Sequence, residues 1–299
     1  MSGSSIIGNP PANQHDLDIV KGLYAQASIT SADLSKGFAL PPVAPLTPSQ
    51  ANKGPGIIAG LVIAMIIIVL ITEGRLLARW HHKASKLGLD DAFIVMGAAG
   101  AVSWLGIAVA MVPQGGLGQH IYNITYEKYD WLLRLRSIDL TVFFVTVSFT
   151  QLSIVCFNQR LTGTISNAWK WTHRLLLVAI SIYLLVSLLW SVFLCSPPAA
   201  GYSLIIYGEN ADRVKCLSAK TMTITLSGFH VAFNFILLSI PIIVLPQMTI
   251  PNARKLFYII PMSVGAIACI ASIMRLYNGL HLPEDITCKL NRGLLVFAF

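Results

Sequence analysis

Charge is scarce in this chain. Asp, Glu, Lys and Arg make up 11% of its 299 residues, where an ordinary soluble domain carries about 25%. That deficit excludes a charge-coated globular surface over most of the length. Cysteine is scarce too: five residues, scattered and with no CxxC pair, exclude a disulfide-rich domain. Met1–Pro10 lacks the apolar stretch of a cleavable signal, so none is expected there. No GxSxG, HExxH or Ser-His-Asp pattern points to a hydrolase. The formal net charge of +8 comes without a basic helix interleaved with aromatics and without a nucleic-acid module, so nucleic acid is not an expected partner.

What the chain has in excess is apolar sequence. Hydrophobic residues make up 55%, and they gather in six long runs between about residue 55 and residue 278. A hydrocarbon core about 30 Å thick is crossed by roughly 20 apolar residues of helix. Lipid offers the backbone no hydrogen-bond partners, so each run satisfies its peptide groups only as helix. The fold class is therefore all-α, a polytopic membrane helix bundle, with the bilayer as its first partner. The spans are expected at about 56–80, 91–112, 131–158, 171–195, 220–246 and 255–279, with a stub at 293–299. Six residues from Leu294 to Phe299 reach only about 9 Å as helix, too short to cross. Residues 1–54, rich in Ser, Pro, Ala and Asn, read as a flexible N-terminal tail, with a short amphipathic helix available within 16–36. Residues 55–299 form the bundle.

Basic residues set the expected orientation. Arg75, Arg79, Lys83 and Lys86 follow the first run, Arg160, Lys170 and Arg174 the third, and Arg254 and Lys255 the fifth. The loops of the other side mix Lys and Arg with Asp and Glu. The unmixed basic side is expected in the cytoplasm, which leaves the N-terminus outside a plasma membrane or endomembrane. Asn123-Ile124-Thr125 is a glycosylation sequon in a loop assigned outside. Cys195 and Cys216 fall on the same side, where an oxidising compartment allows either a bridge or free thiols. Cys156 and Cys269 read as small core residues, and Cys288 as free.

Ionisable or hydrogen-bonding groups inside a membrane are costly and mark candidate sites. Asp139 lies about two turns into the third run, three residues after Arg136. Arg275 lies near the outer end of the sixth. His230 and Asn234 stand one turn apart on one face of the fifth. If these faces converge, they form a polar pocket in which Arg275 holds an anionic or carbonyl group and Asp139 or His230 moves a proton. The competing reading is a structural network that ties helices together. Asp90-Asp91 reads as cap and first turn of the second span, and His81-His82 as an interfacial pair; no metal site is expected. Gly115–His120 reads as a tight turn over the bundle mouth, with His120 a ligand-facing candidate. Pro241, Pro246 and Pro261 are expected to bend the last two spans.

Several segments look familiar. Leu87–Asp91, Gly115–His120, Gln151–Ile154 with Arg160-Leu161, Cys195–Pro197 with Cys216, and His230, Asn234 and Pro241 recur in order, and Cys269–Arg275 matches best. Together the chain resembles the fungal rhodopsin-like integral membrane family, the group named for a membrane protein of the satratoxin mycotoxin gene cluster. The resemblance implies a seven-helix bundle, here with the seventh helix truncated, and a Cys195–Cys216 disulfide. It departs from the family pattern at Gln151 and Asn234, where Lys and Asp are usual, and at Gln119. No Lys lies in the middle of the six runs, so a retinal Schiff base is not expected and no cofactor is implied.

By this resemblance the expected function is an accessory role in fungal secondary-metabolite, mycotoxin-type biosynthesis, with a small apolar metabolite or other pathway proteins as partners. One alternative is a receptor-like seven-helix sensor of extracellular cues. Another is a membrane-embedded cyclase or isomerase using Asp139, His230 and Arg275. The residues favour a non-catalytic role, and no inverted repeat supports a transporter.

Overall fold

The computed structural model describes residues 6, 9–27, 29, 33–38, 52–81, 88–120, 123–162, 166–244, 266, 269–274 and 276–277. In chain order its helices are α1 (Gln14–Gln26), α2 (Gly54–His81), α3 (Leu89–Gly115), α4 (Tyr126–Thr162), α5 (Asn167–Val192), α6 (Leu204–Glu209) and α7 (Ala219–Val244). Five of them, α2, α3, α4, α5 and α7, are long and apolar enough to cross a bilayer. The sixth run shows helix at residues 269–274. Most of it, with Arg275, Pro246, Pro261, Cys288 and the stub at 293–299, lies outside the described residues.

Burial runs opposite to that of a soluble protein. Ile71, Leu70, Leu175, Val178 and Leu189 are exposed, while Gln151, Ser148, Ser153, Asn158, His173 and Ser187 are buried. Water would reward the reverse arrangement. A hydrocarbon solvent rewards this one, because each polar side chain then finds its partner inside the bundle.

Helix ends follow local chemistry. Gly88 starts α3, and its N–H donates to the Asp91 carboxylate at 3.1 Å. The Ser166 hydroxyl accepts from Trp169 N–H at the start of α5. α3 runs past Pro113, which stands in its last turn, to Gly115; the proline cannot donate to the carbonyl four residues earlier, and the helix ends two residues later. Gly116 and Gly118 then take φ of 69° and 91°, and Gly118 packs so close to Gly54 that a Cβ would sit 2.9 Å from its nitrogen. This is the expected turn, and it latches the end of α3 onto the start of α2, with Lys53 N–H donating to Gly118 O.

α4 is the central helix and, at 37 residues, the longest of the described helices. It begins five residues before the expected start at 131, because its polar first turns are held from outside the apolar run. Asp130 accepts from the Leu204 backbone N–H at 2.8 Å and pairs with Arg134 at 2.6 Å. Arg134 also donates to Ser203 at 2.9 Å. Along its length α4 lies against α3, close enough that a side chain at Gly100 would collide with Thr146.

The N-terminal region departs from the reading of a flexible tail. Ile19, Val20, Leu23 and Tyr24 of α1 are buried with Ile6, Tyr126 and Leu204. The Tyr126 hydroxyl donates to Asn9 O at 2.9 Å and accepts from Phe38 N–H at 3.2 Å. Gly22 and Gly208 let α1 and α6 touch backbone to backbone. The apolar pairs Ile19-Val20 and Leu23-Tyr24, one helical turn apart, find a partner surface here that the polar composition of the tail conceals. β1 (Cys195–Ser196) and β2 (Lys215–Cys216) pair antiparallel beside it, and Cys195 and Cys216 are disulfide-bonded. This end of the molecule is called the N-terminal face below.

Candidate functional site

Two polar clusters stand out, and they lie at different depths. The first is in mid-bundle. Gln151 on α4 is 1% exposed. Its Nε2 stands 3.0 Å from His230 Nδ1 and donates to Asn234 Oδ1 at 2.9 Å. An amide N–H can only donate, so Nδ1 accepts and the imidazole carries its proton on Nε2. That Nε2 lies 2.9 Å from the Ser272 hydroxyl, which also accepts from Asn234 Nδ2 at 3.0 Å. Four neutral side chains thus join α4, α7 and the helical segment 269–274.

The network leaves atoms over. Among the described residues Gln151 Oε1, Ser227 Oγ and Trp104 Nε1 are buried without a hydrogen-bond partner. Ser227 lies one turn before His230 on the same face of α7. Trp104 stacks edge-on against Phe143, with ring centroids 5.4 Å apart, and Phe143 meets the His230 ring at 6.0 Å. Gln151 on α4 and Ser227 on α7 thus flank His230, while Trp104 reaches it only through Phe143. Each buried polar atom left unmatched costs about 1–3 kcal/mol, and Gln151 Oε1 and Ser227 Oγ carry that cost beside the His230 network.

The second cluster closes the opposite face. Asp90 is 1% exposed. It meets Arg79 at 2.6 Å, Arg160 at 2.9 Å and Arg75 at 3.4 Å, while Arg79 also reaches Asp91 at 2.7 Å. Ser153 donates to the Asp90 carbonyl at 2.7 Å. The sequence suggested capping for both carboxylates. Asp91 does accept from the Gly88 N–H, but Asp90 instead gathers arginines from α2 and α4 and ties three helices. The basic residues after the first run are thus partners of buried acids as well as interfacial anchors. Below this level Asn158 donates to Leu237 O at 3.3 Å, linking α4 to α7.

The other sequence candidates fall elsewhere. Asp139 is half-buried on α4, near Arg136. It stands twelve residues before Gln151, about 18 Å along the helix axis, so it does not share a centre with His230. The single pocket expected from Asp139, His230, Asn234 and Arg275 is divided accordingly: His230 and Asn234 come together, Asp139 lies three turns nearer the N-terminal face, and Arg275 is outside the described residues. His120 is half-buried in the Gly-rich turn, its carbonyl accepting from Asn123 N–H. Asn123 is exposed. Outside the spans, burial raises the Tyr202 phenol above its ordinary pKa; its hydroxyl donates to Ser191 O at 3.1 Å. Asp33 is lowered by the Ser35 hydroxyl and by Lys36.

Gln151, Ser272 and the arginine partners of Asp90 carry the geometry without having been singled out as site residues. Gln151 and Ser272 were visible only as letters of motifs. The signal that finds them is a hydrogen-bonding side chain in the middle of an apolar run, whether or not it is ionisable. Among the described spans Lys128, Lys170 and Lys220 stand in the first turns of α4, α5 and α7, so none of these spans offers a mid-span amine. No group of three or more His, Cys, Asp or Glu side chains could hold a metal among the described residues.

Comparison with protein families gives one match: the model described as the fungal rhodopsin domain covers residues 74–291, more than half of the chain. No curated protein and no solved structure matches it.

Proposed function

The chain belongs to the fungal rhodopsin domain family, and from that premise we propose that it is an accessory membrane protein of fungal secondary metabolism that holds a small, largely apolar metabolite inside its helix bundle. The observation that carries this reading is the neutral cluster of Gln151, His230, Asn234 and Ser272, with a Gln151 oxygen left over at its centre. Such a group grips a guest that partitions from lipid but supplies no strong acid or base.

The N-terminal face carries the disulfide, the docked α1 and the exposed sequon at Asn123. In this proposal that face is outside or lumenal, and Asn123 is glycosylated. The membrane-embedded enzyme has less support, because Asp139 and His230 lie too far apart to act on one bond.

A receptor-like sensor is the second reading. The ion cluster of Arg75, Arg79, Asp90, Asp91 and Arg160 favours it, since it fastens α2, α3 and α4 at the face opposite α1. Untargeted mass spectrometry of cultures with and without the gene separates the readings. Altered levels of a metabolite family, restored by complementation, support the accessory role. An unchanged profile with a lost response to an external cue supports the sensor instead.

A further inference from the structure

We infer that the molecule held in the bundle is a largely apolar alcohol whose hydroxyl docks against Gln151 and Ser227; this deepens the metabolite-holding reading and rests on it. The argument starts from charge. Along α4 the Asp, Glu, Lys or Arg side chains nearest to Gln151 are Asp139, about 18 Å towards the N-terminal face, and Arg160, about 13 Å towards the other. Arg160 is already engaged with Asp90, and both His230 ring nitrogens are engaged by neutral partners. Among the described residues α4 offers a carboxylate, phosphate or amine no counter-ion at this depth, which favours an uncharged guest.

A pure hydrocarbon fails for the opposite reason. It would leave Gln151 Oε1 and Ser227 Oγ as they are, buried and unmatched. Gln151 Oε1 accepts and cannot donate, so the guest must bring a donor. Turning the Gln151 amide over would leave its nitrogen unmatched in place of its oxygen, and the guest would then have to accept. A hydroxyl meets every one of these demands, because it donates once and accepts twice. A ketone or ether only accepts. Phe143, Phe144, Tyr183 and Phe233, in ring contact with one another or with His230, give the rest of the guest an apolar aromatic wall. Ordered water is the competing occupant.

The test is co-purification. The full chain is isolated in detergent from its native host, and the organic extract of the purified protein is compared by mass spectrometry with a mock purification from the deletion strain. The same is done for Ser227→Ala and Gln151→Met. Ser227→Ala breaks no hydrogen bond within the described protein, so it reports on the guest even if Gln151→Met fails to fold. The expected result is an enriched neutral compound that carries a hydroxyl, shown by acetylation of the extract. Its occupancy should fall about fivefold in Ser227→Ala, the effect of one lost hydrogen bond. An enriched compound without a hydroxyl, or equal occupancy in Ser227→Ala, would overturn the inference and leave the holding role standing. If the wild-type extract holds nothing beyond the mock, with water the only occupant, both the inference and the holding role fall.

Discussion

At the scale of single residues, the two clusters differ in kind, and substitutions should separate them. Asp90 is a buried charge that satisfies three guanidinium groups. Removing it takes the shared buried carboxylate from the cluster and leaves Arg79, the least exposed of the three, with Asp91 alone, so Asp90→Ala is expected to cost roughly 3 kcal/mol. Arg160, whose side chain is 44% exposed, can turn to the headgroups, and Arg160→Ala should cost less than about 1 kcal/mol. Thermal unfolding of the purified protein in one detergent checks the order. Equal losses would mean that Asp90 is not the hub. Gln151 is neutral, and Gln151→Leu removes the bonds to His230 and Asn234 while keeping volume. Its expected signature is lost function with the protein still in the membrane at normal abundance, read by quantitative immunoblot beside the metabolite profile.

At the scale of elements, the N-terminal face is an assembly of small parts held by one covalent link and one close contact. The bridge from Cys195 to Cys216 spans 21 residues, and a closed loop of that size is worth about 3 kcal/mol of chain entropy. Reduction, or Cys216→Ser, is expected to free the segment between β1 and β2 while leaving the spans intact. Limited proteolysis should then cut between residues 197 and 215, and resistance equal to wild type would count against the bridge as a tether. α1 depends on Gly208, where a Cβ would run into the Asp18 backbone. Gly208→Val should undock α1 and expose residues 14–26 to the same protease.

Much at this scale was legible beforehand. Five spans lie within a few residues of their expected places, because an apolar run must be helix in lipid and polar residues mark its ends. α4 was missed at its start: Tyr126–Asp130 look like loop, and their contacts with Leu204 hold them as helix. α1 was missed as a packed element for a related reason. Its apolar face is narrow, and its partner, α6, lies almost two hundred residues away in sequence. The placement of His230 and Asn234 side by side on one face of α7 followed from helical spacing. The distance of Asp139 from them did not, because depth across helices depends on register, which no single run encodes.

At the scale of the whole molecule, the order of layers suggests how the parts serve one another. A docked helix and a disulfide-tied loop close the N-terminal face, a neutral cluster occupies mid-bundle, and an arginine–aspartate knot closes the far face. If the N-terminal face is outside or lumenal, Asn123 carries a glycan, and endoglycosidase treatment should shift the protein on a gel, with Asn123→Gln abolishing the shift. A wild-type protein with no shift would remove that support for the orientation.

The most direct measurement of the central claim is complementation of the deletion strain with two variants at matched membrane abundance, followed by untargeted mass spectrometry of the cultures. The account predicts that Asp139→Asn restores the wild-type metabolite profile and Gln151→Leu does not, because guest binding centres on the neutral cluster and needs no acid. Restoration by Gln151→Leu with failure of Asp139→Asn would contradict it, and would move the site to the carboxylate near the N-terminal face.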